Sequence, residues 1–107
     1  MGSLFYGSSA QPIQMPDRVL AHIKVVIATK LRRGESFTLS WRHPEGESAG
    51  RSTIWLQPSI PLRFVFGESE PEMLDPALLQ TYANSANSSG GLTVDIGAAE
   101  PSAARPV

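Results

Sequence analysis

Arginine, lysine and tryptophan side chains form the pattern in this sequence that points most directly to a chemical function. A guanidinium group binds phosphate oxygens, and an aromatic ring beside it offers a surface on which a base can stack. The candidate set contains seven cations and one aromatic residue: Arg18, Lys24, Arg32, Arg33, Arg42, Arg51, Arg63 and Trp55. These residue types predict a basic face that contacts nucleic acid or another polyanion, although no nucleic-acid-binding motif accompanies them.

The same residues also fit interpretations without nucleic acid. Lys30, Arg32 and Arg33 end a predicted helix, where positive charge stabilises the exposed carbonyls of the last turn. In a structural alternative, the second predicted helix covers Trp55 and Val65 and hides the tryptophan in a small second core. In a third interpretation, the strand "RSTIWL" or the sheet face around Trp55 pairs with a partner protein or with a second copy of the chain.

Residue types that catalyse reactions or bind metals occur here without the spacing that either role needs. His22 and His43 are the two histidines; neither stands at a metal-ligand spacing, and both are expected on the surface. The glutamates lie in predicted loops, where they are solvated instead of buried as a general acid or base would be. The glycines of "NSSGGLTV" follow a helix, whereas a phosphate-binding loop precedes one. We therefore predict a non-enzymatic protein with no catalytic residue, no metal and no cofactor.

Length and composition fit one small globular domain of 107 residues, 41% of them hydrophobic and 18% charged. The chain has no cysteine, which excludes disulfides, thiolate metal sites and cysteine nucleophiles. No apolar run reaches the roughly 18 to 20 residues of a membrane helix, and no signal-peptide pattern opens the chain, so no membrane contact and a cytoplasmic location are expected. Charge divides along the chain, with a net +5 over residues 18–66 and a net −5 over residues 67–107. Such a division can steer a polyanion to one face or bring acidic and basic parts together.

Apolar spacing predicts an α+β domain with two helices and a mostly antiparallel sheet, in the order β-α-β-β-β-α-β. The first helix begins with Asp17 as its N-cap and ends at Gly34, and the second begins at Asp75 and Pro76 and ends near Asn87. The strands are expected at residues 3–7, 36–41, 51–56, 62–66 and 92–96. The domain is expected to span residues 1–96, followed by a disordered tail rich in Ala and Pro at residues 97–107.

The first helix and the central hairpin carry more detailed predictions. Lys30 lies near the apolar stripe of the helix and is expected to extend its ammonium group into water. In the hairpin, Arg42 is expected to pair with Arg51, which places Trp55 on the face opposite the core. The apolar stripe of the helix consists of Val19, Leu20, Ile23, Val26, Ile27 and Leu31, and the core face of the hairpin of Phe37, Leu39, Trp41, Ile54 and Leu56.

Four segments, "MGSLFYG", "DRVLAHIKVVIATKLRRGESFTLSW", "RSTIWLQPSIPLRFVF" and "SANSSGGL", lie within residues 1 to about 96. Together they resemble a family of small uncharacterised domains of high-GC Gram-positive (actinobacterial) bacteria, whose members are often labelled automatically as ATP-dependent DNA ligases. Such a ligase needs a lysine in a K-x-D-G motif to carry the adenylate. Lys24 and Lys30 are the only lysines, and neither is followed by Asp-Gly. The resemblance therefore implies at most an accessory role in DNA ligation, without catalysis by this chain.

Overall fold

The computed structural model describes residues 1–96, which fold into two helices and two three-stranded sheets. The elements in chain order are β1 (Gly2–Tyr6), β2 (Ile13–Met15), α1 (Asp17–Arg32), β3 (Phe37–Arg42), β4 (Arg51–Leu56), β5 (Leu62–Val65), α2 (Pro76–Ala86) and β6 (Leu92–Val94). The α+β class is confirmed, while β2 is a strand that the sequence did not predict. The tail predicted at residues 97–107 lies outside the described residues.

The strands divide between two sheets instead of joining in one. The first sheet has the order β2-β1-β5 and is antiparallel throughout. The second sheet has the order β4-β3-β6, in which β3 pairs antiparallel with β4 and parallel with β6. The pairing is thus mostly antiparallel, as predicted, with one parallel pair at the C-terminal strand.

The register of the β3–β4 hairpin is the one that the alternation of apolar and polar residues predicts. Arg42 lies opposite Arg51, and Leu39 lies opposite Ile54. Since successive side chains of a strand point to opposite faces, this register sends the apolar residues to the core and leaves Thr38 and Trp55 on the other face.

Helix α1 connects the two sheets through one hydrophobic core. Its residues Leu20, Ile23 and Ile27 are buried together with Leu4 of the first sheet and Leu39 of the second. Each fully buried side chain of this size stabilises the fold by about 1.5–3 kcal/mol relative to exposure. At the C-terminal end, Gly34 has the left-handed φ of +76° that the sequence predicts for the residue after the helix.

The start of α1 differs from the prediction, because Pro16 and not Asp17 is the N-cap residue. The buried Asp17 carboxylate instead accepts hydrogen bonds from the backbone N–H groups of Gly67, at 3.0 and 3.1 Å, and Glu68, at 3.0 Å. It also lies 3.6 Å from the amino group of Met1. Asp17 therefore ties the start of α1 to the segment that follows β5.

The Asp17 carboxylate predicts an acid-sensitive fold. Burial raises its pKa, but the N–H groups of Gly67 and Glu68 and the nearby amino group more than offset this, so the pKa of Asp17 lies below its usual value. A lowered folded-state pKa contributes stability that is present above the unfolded-state value of about 3.9 and is lost as the pH falls through the folded-state value. Chemical denaturation from pH 7 to pH 2 should therefore show stability falling below about pH 4.

In that titration, Asp17→Asn should be less stable than the wild type at pH 7 and should lose less stability on acidification. Glu47→Gln, which removes an exposed carboxylate, should keep the wild-type curve. An Asp17→Asn curve parallel to that of the wild type would show that the contacts to Gly67 and Glu68 do not stabilise the ionised carboxylate.

Helix α2 lies parallel to α1, and polar side chains link the two helices at both ends. At the N-terminal ends, Arg18 Nη2 donates to Asp75 Oδ2 at 3.1 Å. At the C-terminal ends, Lys30 Nζ donates to Asn87 Oδ1 at 2.8 Å and to Glu35 Oε1 at 3.0 Å. The expectation that the Lys30 ammonium extends into water is therefore wrong, because α2 supplies it with a partner at the protein surface.

His22 is fully buried, which contradicts its predicted place on the surface. Its Nδ1 lies 2.6 Å from the Arg18 carbonyl, and its Nε2 accepts from the Asp75 backbone N–H at 2.8 Å. Because a carbonyl only accepts and an N–H only donates, these partners fix the neutral tautomer with the proton on Nδ1. The polar face of α1 is thus covered by the N-terminal end of α2.

Candidate functional site

The second sheet has one face turned away from the core, which we call the outer face. Its side chains come from alternate positions of the three strands, and all are exposed or half-exposed. They are Thr38, Ser40 and Arg42 of β3, Arg51, Thr53 and Trp55 of β4, Thr93 of β6 and Asp95 just after it. Helices α1 and α2 leave these side chains accessible to a ligand.

Trp55 is the large aromatic side chain of the outer face, and 53% of its surface is exposed. The alternative in which α2 covers Trp55 and Val65 is wrong, because α2 packs on α1 and beside β6, and Val65 is itself 36% exposed in the first sheet. Trp55 therefore presents an accessible aromatic surface, with which a ligand ring could stack.

Arg42 and Arg51 lie directly opposite each other at the far end of the same face. The adjacent backbone bond, from His43 N–H to Gly50 carbonyl at 2.8 Å, makes the arginine pair a non-hydrogen-bonded one, in which opposed Cα atoms are only about 4.5 Å apart. Two like charges at this spacing repel. Asp95 relieves part of this repulsion through an exposed ion pair with Arg42 at 3.7 Å.

The three charged residues line one shallow depression of 380 Å³ with Ser40 and Thr93. The ion pair between Arg42 and Asp95 is solvent-exposed and therefore weak, so an incoming anion can replace the carboxylate at little cost. The depression thus offers two guanidinium groups and hydroxyl donors, a combination that suits a phosphate group.

Hydroxyl groups occupy the middle of the outer face between Trp55 and the arginines. Ser40 Oγ and Thr53 Oγ1 are 2.8 Å apart and hydrogen-bonded to each other, and Thr93 follows on β6. Trp55 is four positions after Arg51 along β4, which corresponds to about 13 Å at the usual rise of a strand. A base on Trp55 and a phosphate at Arg51 can therefore belong to one short oligonucleotide.

The structure brings only three of the eight predicted site residues together on the outer face. Arg18 is paired with Asp75 at the helix ends, and Arg63 lies on the first sheet with its guanidinium carbon 5.6 Å from the centre of the Phe5 ring. Lys24 sits 5.5 Å from the centre of the Phe66 ring, and Arg32 and Arg33 are exposed at the end of α1. The predicted single basic face is therefore divided among several surfaces.

The two edges of the second sheet differ in how they are protected. On β6, Ser85 Oγ of α2 accepts from the Thr93 N–H at 3.0 Å and donates to the Gly91 carbonyl at 3.1 Å, which caps this edge. On β4, the Tyr6 hydroxyl donates to the Trp55 carbonyl. This hydrogen bond occupies one end of the exposed edge of β4. β4 is the strand "RSTIWL" for which pairing with a partner was predicted from the sequence.

The described residues 1–96 hold no group of three or more His, Cys, Asp or Glu side chains that could bind a metal ion. His43, half-exposed beside the hairpin loop, bonds to the Ser48 carbonyl and to Ser52 Oγ, so its two nitrogens have structural partners. Within the same residues, no helix is both long and apolar enough to cross a membrane.

Comparison with known proteins finds one family relationship. The family model described as a domain of unknown function (DUF7882) matches residues 1–96, the whole of the described domain. No curated protein and no solved structure matches the chain.

Proposed function

The chain belongs to the DUF7882 family of domains of unknown function, and we propose that it is a non-catalytic module that binds single-stranded nucleic acid on the outer face. The observation that carries the proposal is the exposed Trp55 ring on the same open sheet face as Arg42 and Arg51. The ring supplies a stacking surface for a base, and the two guanidinium groups supply the phosphate contacts.

Single-stranded nucleic acid fits this surface better than a duplex does. The bases of a duplex are stacked on one another, whereas an unpaired base exposes its ring face to a protein aromatic side chain, a contact worth about 1–3 kcal/mol per base. Within residues 1–96, the outer face is an open three-stranded sheet, and no helix projects from it that could enter a groove of a duplex.

Binding without catalysis agrees with the positions of the two lysines. Lys30 Nζ is held by Glu35 and Asn87, and Lys24 lies beside Phe66 near a cluster of glutamates. Neither lysine lies in a phosphate-binding site where its amine could accept an adenylate group. If the chain assists a DNA ligase, we therefore propose that it binds the DNA and that another protein catalyses the joining reaction.

The proposal predicts salt-dependent binding that is lost by substitutions on the outer face. We expect the protein to bind a labelled single-stranded oligonucleotide in fluorescence anisotropy titrations, and to bind the matched duplex more weakly. Trp55→Ala should weaken binding about tenfold, since it removes one stacked base. Arg42→Gln with Arg51→Gln should lower the slope of log K against log salt by about 1.4, since each phosphate contact to a single strand contributes about 0.7.

A double variant, Arg32→Gln with Arg63→Gln, serves as the matched control because it removes the same charge from exposed sites away from the outer face. It should keep the wild-type salt slope. An equal loss in both double variants would show that binding follows the net charge and not the outer face.

A further inference from the structure

Helices α1 and α2 form a groove between them that the core does not fill, and we call it the helix groove. Its volume is 400 Å³, and its walls include Val25, Thr29, Leu79 and Ala83, all half-exposed. Arg33, at the end of α1, also lines it and is exposed. Because the two helices run parallel, both C-terminal ends lie at the same end of the groove, and Arg33 makes that end basic.

The other end of the groove is next to the segment Gly67–Leu74, which we call the acidic loop and which leads directly into α2. It contains Glu68, Glu70 and Glu72, and none of the three is ion-paired within the described residues. Lys24, whose ammonium group lies over the Phe66 ring, lines a cavity with these glutamates and supplies one positive charge against their three negative charges. The N-terminal end of the helix pair is therefore acidic.

The acidic loop also carries the most exposed large apolar side chain of the described chain. Met73 is 86% exposed, and the adjacent Leu74 is 47% exposed. Methionine is unbranched and flexible, so it adapts to irregular apolar grooves. Met73 lies three residues before Pro76, which lines the helix groove, so the exposed apolar side chain is close in sequence to the unfilled groove. Exposed apolar surface of this kind is typical of association surfaces.

We propose that this surface binds a second copy of the chain, with Met73 of each protomer inserted into the helix groove of the other. A two-fold axis across the middle of the groove sets the two helix pairs antiparallel to each other. Each acidic loop then lies against the Arg33 end of the partner, so the same favourable contact forms twice. The complementary charge selects this antiparallel arrangement over a parallel one.

The helix groove is a better surface for self-association than the β4 edge. At that edge, the Tyr6 hydroxyl already occupies the Trp55 carbonyl, and two arginines repel an approaching copy. The helix groove has unfilled apolar volume and complementary charge at its two ends. Self-association there also leaves the outer face free, so this inference stands independently of the proposed function.

The test is the molar mass by sedimentation equilibrium over a range of protein and salt concentrations. We expect a monomer–dimer equilibrium that salt weakens. Met73→Ser and Arg33→Glu should each weaken the dimer about tenfold. Arg32→Glu is the matched control: it makes the same charge change at the neighbouring residue, which does not line the groove, and should have a much smaller effect than Arg33→Glu.

A mixture of two variants tests the pairing of charges itself. Arg33→Glu alone and the double variant Glu70→Arg with Glu72→Arg alone should each be largely monomeric, because each places like charges across the interface. Mixed together, they should form a heterodimer in which both contacts are complementary. A monomeric wild type at every concentration, or variants whose mixture gains no mass, would overturn the proposal, as would a dimer unaffected by Met73→Ser and Arg33→Glu.

Discussion

Gly91→Ala is expected to lower the free energy of unfolding by about 3 kcal/mol, the largest effect of any substitution considered for this protein. Gly91 has a φ of +78°, a backbone conformation that is energetically unfavourable for any residue with a Cβ atom. An added Cβ would also collide with Thr38 Oγ1 and lie 2.9 Å from the Thr38 carbonyl oxygen. Because Gly91 immediately precedes β6, relief of the collision requires β6 to move away from β3. Urea denaturation measures the loss.

Two other glycines separate the causes of this effect. Gly34 has a φ of +76° with no atom within 4 Å of an added Cβ, so Gly34→Ala should show the backbone cost alone. Gly90 has neither a positive φ nor a contact closer than 3.9 Å, so Gly90→Ala should change stability little. A Gly91→Ala loss no larger than that of Gly34→Ala would mean that the close approach to Thr38 does not constrain β6.

His22→Leu is expected to cost about 2 kcal/mol, although leucine fills a similar space, because it removes the acceptor of a part-buried N–H group. The Asp75 N–H now donates to His22 Nε2 at 2.8 Å, and no other acceptor is bonded to it among the described residues. Asp75 is the N-cap of α2 and accepts from the Ala77 N–H, so the loss should also loosen the start of that helix. Hydrogen exchange of the first turn of α2, measured beside urea denaturation, tests both effects.

His43→Leu provides the control for this substitution. His43 also makes two hydrogen bonds, but it is half-exposed, so water can replace them and the cost should stay below about 1 kcal/mol. If the two leucine variants lose equal stability, the hydrogen bond from the Asp75 N–H to His22 does not stabilise the packing of α2 on α1.

Local pattern was enough to predict the hairpin, because alternation on both strands favours the register in which every large apolar residue except Trp55 faces the core. The same reasoning missed β2, since three residues between Pro12 and Pro16 carry too little pattern, and the strand depends on pairing with β1. The parallel pairing of β3 with β6 was also beyond local pattern, because it depends on contacts between distant parts of the chain.

The position of α2 explains most of the remaining differences between the predicted and observed structures. One apolar stripe on α1 predicted one covered face, whereas α2 covers a second face that includes His22. Val25, which lies on the otherwise polar face of α1, was the one feature of the sequence that indicated a second covered face, because it extends the apolar surface beyond one stripe. With α2 packed on α1, α2 does not cover Trp55, which stays 53% exposed, and Arg18 pairs with Asp75. Residue types thus identified candidate side chains, but only the packing of α2 decided which of them share a surface.

A titration of the ¹⁵N-labelled protein with a short single-stranded oligonucleotide, followed through the two tryptophan indole N–H signals, shows whether the outer face binds nucleic acid. Trp41 packs against the core but also borders the arginine depression, whereas Trp55 lies on the outer face, so a comparison of the two signals shows which face of the sheet the base contacts. Binding on the outer face predicts a larger shift of the Trp55 signal than of the Trp41 signal, together with shifts of the Arg42 and Arg51 backbone amides. A Trp55 signal that stays unchanged at low salt and saturating oligonucleotide would contradict the proposal that this face binds nucleic acid.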